Sequence, residues 1–210
     1  MGVKMKSKVY FTKEITSASL VKIYESLGVD LKGKVGVKIS TGEPGGHNFL
    51  NPKLIEKLVK KLNGTIIECC TAYGGKRQDP TDHWQAIADH GFKDITPCDI
   101  MDEFEEMEIP VTNGFHLKKN IVGKHLENYD SILMLSHFKG HQMAGMGGAL
   151  KNMSIGIAST KGKLNIHSAG KTLDQNECWN NLPAQDDFLE SMADACQAVM
   201  NYKGAEKFTS

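Results

Sequence analysis

Short apolar runs alternate with stretches whose apolar residues recur at helical spacing. VGVKIS (35–40) and TIIECC (65–70) are continuous enough to be buried strands, and SILMLS (131–136) is the clearest central one. KVYFT (8–12) predicts a further strand ahead of them, and DITPCDI (94–100) a weaker one, because Pro97 suits only an edge or an end. Between these runs, Leu20, Ile23, Tyr24 and Leu27 mark a helix stopped by Gly28. Leu54, Ile55, Leu58, Val59 and Leu62 mark a second, with Asn51 as N-cap and Pro52 in its first turn. Trp84, Ile87 and Ala88 predict a helix ending at Gly91. Phe188, Met192, Ala195, Cys196 and Val199 predict a last one, capped by Asp186 or Asp187. The acidic run MDEFEEMEIP reads as a solvated loop or an edge, and Asn-Gly in VTNGFHLKK as a hairpin turn.

Strands alternating with helices predict an α/β fold: a mostly parallel sheet with helices on both faces, a Rossmann-like layered domain. Such sheets bind ligands beyond the carboxyl ends of their strands. Three polar, glycine-rich segments fall there. STGEPGGHN follows the strand at 35–40, TAYGGKRQD the one at 65–70, and SHFKGHQMAGMGG the one at 131–136. Their coincidence points to one shared site.

Composition narrows the function. The chain has 210 residues, 25 Lys plus Arg against 25 Asp plus Glu, so it offers no electrostatic case for nucleic acid or an acidic membrane surface. No apolar run approaches membrane-spanning length, and MGVKMKSKVYF lacks the apolar stretch of a secretory signal. The five cysteines are odd in number and contain no CxxC. That argues against a disulfide framework and against an iron–sulfur motif within the chain, and makes a reducing cytoplasm the expected location.

The third loop carries the most chemistry. His137 and His141, four apart, would share a face on a helix and could chelate a metal, but Gly140, Gly145, Gly147 and Gly148 argue against a regular helix. Glycines there could instead form a backbone anion nest, with Lys139 and Lys151 adding charge. Neither GK[ST] nor GxGxxG is present. In the second loop Lys76 and Arg77 beside Gly74 and Gly75 make a candidate carboxylate or phosphate grip, and in the first Glu43 and His47 flank Pro44-Gly45-Gly46.

GEPGGHNFLNPKLI, YGGKR…DHWQAIADHGF and SHFKGHQMAGMGGALKNMSIGIASTKGKLNIHS together resemble the DUF362 family, whose function is largely uncharacterised. The resemblance implies one α/β domain over residues 1–210. Relatives generally continue further and often carry ferredoxin-like modules, so the chain reads as a short form or a fragment, with a ferredoxin-type protein as a candidate partner.

HQMAGMGGALK, from His141 to Lys151, is also similar to a segment of the nickel-pincer lactate racemases, and His167 follows Lys151 at the offset of that family's nickel-ligating histidine. This more distant resemblance implies His141 as acid/base, Lys151 as the amine that holds a pyridinium-derived pincer cofactor, and His167 as a metal ligand; His137, which no such offset supports, stays a second-rank candidate metal ligand. The metal would be a transition metal, nickel or iron. Where the racemases carry a second catalytic histidine before an arginine, this chain has Lys76 before Arg77. A lysine serves as that second base only if burial or nearby positive charge lowers its pKa.

The expected function is thus a strand-end site for a metal or metal-containing cofactor and a small anionic metabolite, with proton or redox chemistry. Two alternatives stand beside it: an electron-transfer accessory to a ferredoxin-type protein, and a non-catalytic anion-binding module using Lys139, Lys151 and Arg77.

Overall fold

The computed structural model describes residues 7–203 and the backbone of 208–209. In chain order the elements are α1 (Ser17–Ser26), β1 (Val35–Lys38), α2 (Pro52–Lys61), β2 (Thr65–Glu68), α3 (Pro80–Asp89), β3 (Cys98–Ile100), β4 (Glu106–Pro110), β5 (Lys119–Gly123) and β6 (Ser131–Met134). There follow β7 (Lys139–His141), β8 (Gly145–Gly147), α4 (Ala149–Ser154), α5 (Thr160–His167), α6 (Gln175–Asn180), α7 (Gln185–Lys203) and β9 (Phe208–Thr209).

The main sheet has the order β3-β2-β1-β6-β9, and every neighbouring pair is parallel. The chain steps outward from β1 through β2 to β3, then crosses to the other side of β1 to lay down β6. The order therefore reverses between β1 and β6, and the crevice at their carboxyl ends is where such sheets take ligands.

Both faces are covered, as the unbroken apolar strands require. Val35, Val37, Ile66 and Leu133 face one side, packed with Tyr24, Ile55, Leu58, Val59 and Ile87 of α1, α2 and α3. Ile67, Ile132 and Met134 face the other, against Met153 of α4, Cys196 and Val199 of α7, and Ile109 and Val122 of the β4–β5 hairpin. The expected α/β layering holds. Asn51 caps α2 ahead of Pro52, its side chain accepting from the Lys53 amide at 2.9 Å. Asp79 with Pro80 starts α3 in the same way.

Three expectations need correction and two are refined. Residues 8–12 form no strand: Val9 and Phe11 are 86% and 82% exposed, and the sheet edge beyond β6 is taken by β9. The last helix begins at Gln185, so Asp186 and Asp187 lie in its first turn, favourable to the helix dipole, rather than at its cap. Of the two alternatives for the acidic run, Glu106–Pro110 takes the edge one, as a strand paired antiparallel to β5 in a two-stranded ribbon. The hairpin expected from Asn-Gly forms, with Asn113 at φ +57° in a connection longer than two residues. The strands after which the polar loops begin are also shorter than their apolar runs, ending at Lys38, Glu68 and Met134.

Candidate functional site

Two charged residues end two of the central strands. Lys38 closes β1 with its side chain 1% exposed, and Glu68 closes β2. The Lys38 ammonium donates to Glu68 Oε2 at 2.8 Å, to the Ile39 carbonyl at 2.6 Å and to Asn152 Oδ1 at 3.1 Å. The other Glu68 oxygen accepts from the Thr41 amide at 2.8 Å, the Thr41 hydroxyl at 3.2 Å and Arg77 at 3.4 Å. Burial alone would raise the Glu68 pKa, but Lys38 and Arg77 hold it down at about 2. Arg77 is buried too. Its guanidinium pairs with Glu43 and donates to the Tyr73 hydroxyl at 3.0 Å, which in turn donates to Glu43 at 2.6 Å. His83 stands behind Thr41, with Nε2 3.5 Å from its hydroxyl and Nδ1 buried without a partner. Burial takes this imidazole down to about 4, despite Glu68 nearby, so it is neutral at pH 7.

Across the switch point the lysines form no ion pair, although the buried Asp102 carboxylate lies near enough to Lys163 to feel its charge. After β6 the chain folds β7 against β8 as a small antiparallel ribbon, Lys139 opposite Gly147 and His141 opposite Gly145. A Cβ at Gly147 would lie 3.6 Å from the Lys151 stem and 3.7 Å from that of Lys139, so its missing side chain leaves both lysines room beside the ribbon. α4 then delivers Lys151 and Asn152. The Asn152 amide donates to the Lys38 carbonyl at 2.9 Å and to the Ser136 hydroxyl at 3.1 Å, tying this helix to β1. α5 adds the buried Lys163 and, four residues on, His167. Burial, then Lys38, Lys163 and Lys139, push the Lys151 amine down to about 8. Among the described residues no carboxylate lies within ion-pairing distance of Lys139, Lys151 or Lys163.

The two histidines here are held as opposite tautomers. His167 Nδ1 lies 2.7 Å from the Lys163 carbonyl and must donate to it, which leaves Nε2 with its lone pair. Its ring rests 5.2 Å from Phe188 and 5.0 Å from Trp179, and burial takes it down to about 4. His141 instead accepts the Ala144 amide on Nδ1 at 3.1 Å, so in its neutral form Nε2 carries the proton. Burial, then Lys151 and Lys139, lower its pKa. Within one electrostatic neighbourhood are therefore an N–H donor, a lone pair and an amine whose pKa is lowered to about 8.

His141, Lys151, His167 and Lys139 thus fall in one electrostatic neighbourhood. Arg77 and Glu43 sit on its far side, engaged with each other. Lys76 does not fit the second-base reading. It lies exposed on a 3₁₀ turn, Lys76–Gln78, while the chain turns Arg77 inward, so the burial that would activate a lysine is missing. His47 is exposed, and His137 is half-buried with no hydrogen bond among the described residues. Gly145 and Gly147 serve the ribbon and Gly148 precedes α4, so the expected run of inward amides is replaced by strand pairing. No group of three His, Cys, Asp or Glu donors gathers around His137, His141 or His167 among the described residues. Lys38, Glu68, Asn152, Lys163 and His83 were not singled out by sequence reasoning. For Lys38 and Glu68 the signal was there: a charge inside each otherwise apolar strand run.

The family described as a domain of unknown function, DUF362, matches residues 35–208. No curated protein matches the chain. Among solved structures, the lactate racemase apoprotein from Thermoanaerobacterium thermosaccharolyticum is similar in fold, with a TM-score of 0.56 at 16% identity over 89% of this chain. The aligned region is 47% of that protein, so this chain spans about half its length.

Proposed function

Since the chain belongs to the DUF362 family, whose description assigns no activity, we propose a function from the site itself: it holds an anionic, metal-bearing organic cofactor at Lys151 and binds a small carboxylate beside it. The observation that carries this reading is the unpaired lysine group at the switch point, with Lys151 at about 8 next to His141 and His167.

The donor set discriminates between two kinds of metal. A bare cation would meet Lys139, Lys151 and Lys163 with a single well-directed imidazole nitrogen, that of His167, and would be repelled. A preassembled cofactor bearing carboxylate or phosphate groups meets the opposite: cations for its anionic groups, a partly neutral amine for attachment, and one imidazole for its metal. The residues fit the second. Such a cofactor would supply an electron-accepting metal centre.

The remaining roles belong to this chain. Lys139 and Lys163 attract and orient the carboxylate. His141 carries its proton on Nε2, and burial with the nearby Lys151 and Lys139 disfavours its charged form, so it presents a neutral N–H donor to the bound group. Lys38 and Glu68 fix Asn152 and so the helix that carries Lys151.

The test is native intact mass and metal content of anaerobically purified protein, beside Lys151→Ala and His167→Ala. The reading expects an adduct mapping to Lys151, absent from Lys151→Ala, and metal reduced in both variants. No adduct, with equal metal in all three, would overturn the cofactor part. For the anion part, lactate and oxalate should raise the melting temperature of wild type but not of Lys151→Ala, and equal shifts would refute it. Stabilisation by these anions without adduct or metal would instead favour the non-catalytic binding module.

A further inference from the structure

A second set of ligating groups lies away from the lysines, where the loop between β4 and β5 crosses the first turns of α7. His116 Nε2 stands 2.7 Å from Glu190 Oε2 and 3.9 Å from Asp187 Oδ1. One donor atom from each of the three residues lies within 4.8 Å of the other two. We propose that His116, Asp187 and Glu190 form a binding site for a divalent transition-metal ion, distinct from the site at Lys151.

The geometry is built before any ion arrives. Asp194, buried one further turn along α7, accepts the amides of Phe115 at 3.0 Å, His116 at 2.8 Å and Leu117 at 2.9 Å. Three hydrogen bonds to one carboxylate fix the loop backbone, and so the point from which the His116 ring projects. Asp187 and Glu190 are three residues apart on α7 and share its face. The site therefore joins two elements whose relative position is already set, which lowers the ordering cost of binding.

The donor chemistry selects the ion. One imidazole nitrogen with two carboxylates suits zinc or manganese better than calcium or magnesium, which prefer all-oxygen shells. The three side chains are partly exposed, leaving room for water to complete the coordination. The charge also has the right sign: among the described residues His116 is the only basic side chain within 4.0 Å of either carboxylate. A free dication is thus attracted here and repelled by the lysine group. Phe188, adjacent to Asp187, packs on the His167 ring, so an ion at this place would brace the turn that supports the other site.

Zinc chloride titrated calorimetrically into the chelator-treated full chain tests the proposal, with cobalt chloride as a spectroscopic probe. Wild type should bind one equivalent of zinc, and His116→Ala and Glu190→Gln should each weaken it at least tenfold. His167→Ala should bind zinc as wild type does, separating this site from the one at Lys151. Cobalt should give a visible absorption band that His116→Ala loses. Glu190 is on the surface, and circular dichroism checks that each variant is folded. Absence of saturable zinc binding to wild type, or wild-type affinity in both His116→Ala and Glu190→Gln, would overturn the proposal.

Discussion

The loops after β1 and β2 and the segment after β6 look alike as sequence: each is polar, rich in glycine and follows an apolar run. In the fold they do opposite things. After β1 and β2, Arg77 and Lys38 meet Glu43 and Glu68, and the charges close on themselves. After β6, Lys139 and Lys151, joined by Lys163 from α5, find no carboxylate at ion-pairing distance among the described residues. One half of the switch point is finished internally; the other is left with charge to place on something else. On the proposed reading, neutralisation, more than glycine content or position in the sheet, would separate a supporting loop from a ligand loop.

The largest effect is expected at Glu68. If the first half is structural, Glu68→Ala strands the buried Lys38 ammonium and should cost about 3–5 kcal/mol in urea unfolding. Replacing both partners, Lys38→Met with Glu68→Leu, should recover most of that loss. A cost near zero for Glu68→Ala would mean the pair supports nothing.

Acid sharpens the contrast next. His83 and His167 titrate near 4 in the folded protein and near 6.5 when unfolded. Between those values the unfolded chain binds protons that the folded one does not. Stability is therefore full above about 6.5 and falls as pH drops to 4, by at most about 3 kcal/mol for each histidine. Glu68 adds a further loss between 4.5 and about 2. Melting temperature against pH should show the first slope, and His167→Phe should flatten it by about one proton. An unchanged slope would place the His167 ring in solvent.

Lys151 differs from Glu68 in that folding disfavours its charged form. Its folded pKa of about 8 lies below the ordinary 10.5, so the charged amine disfavours folding at neutral pH, and that penalty fades as pH rises from about 8 to 10.5. Lys151→Met should melt above wild type at pH 7, with the gap narrowing through that window. A variant less stable than wild type at pH 7 would count Lys151 among the structural charges. The smallest effect belongs to Lys76: exposed on its turn, Lys76→Ala should change stability by less than about 0.5 kcal/mol and leave the lactate-induced shift intact.

Much of the architecture was legible. The central strands, the Asn51–Pro52 helix start and the two-faced layering follow from apolar runs and capping chemistry, which are local. The strand expected at 8–12 failed because a strand exists only with a neighbour, and the sheet edge went to residues 208–209. Part of the candidate site was legible as well, but through the offsets joining His141, Lys151 and His167. Composition could not rank His141 above His137, whose surroundings depend on a ribbon that glycines alone do not announce. Lys38 and Glu68 were readable in principle, since a charge inside a buried strand demands a partner. Which partner it takes is a tertiary fact. For the same reason Lys76 and Arg77 could not be told apart until the turn put one outside and the other inside.

Lys38 and Asn152 hydrogen-bond across the switch point although 114 residues separate them in the chain. The units on the β3 side of that seam close over short loops, whereas β6 must find β1 after a long excursion, which is entropically expensive and slow. The β1–β6 pairing is therefore expected to form after the more local β1–β2 and β2–β3 pairings. A ligand bridging the two sides would oppose their separation by mass action, so occupancy would act as a latch on the least local pairing in the sheet.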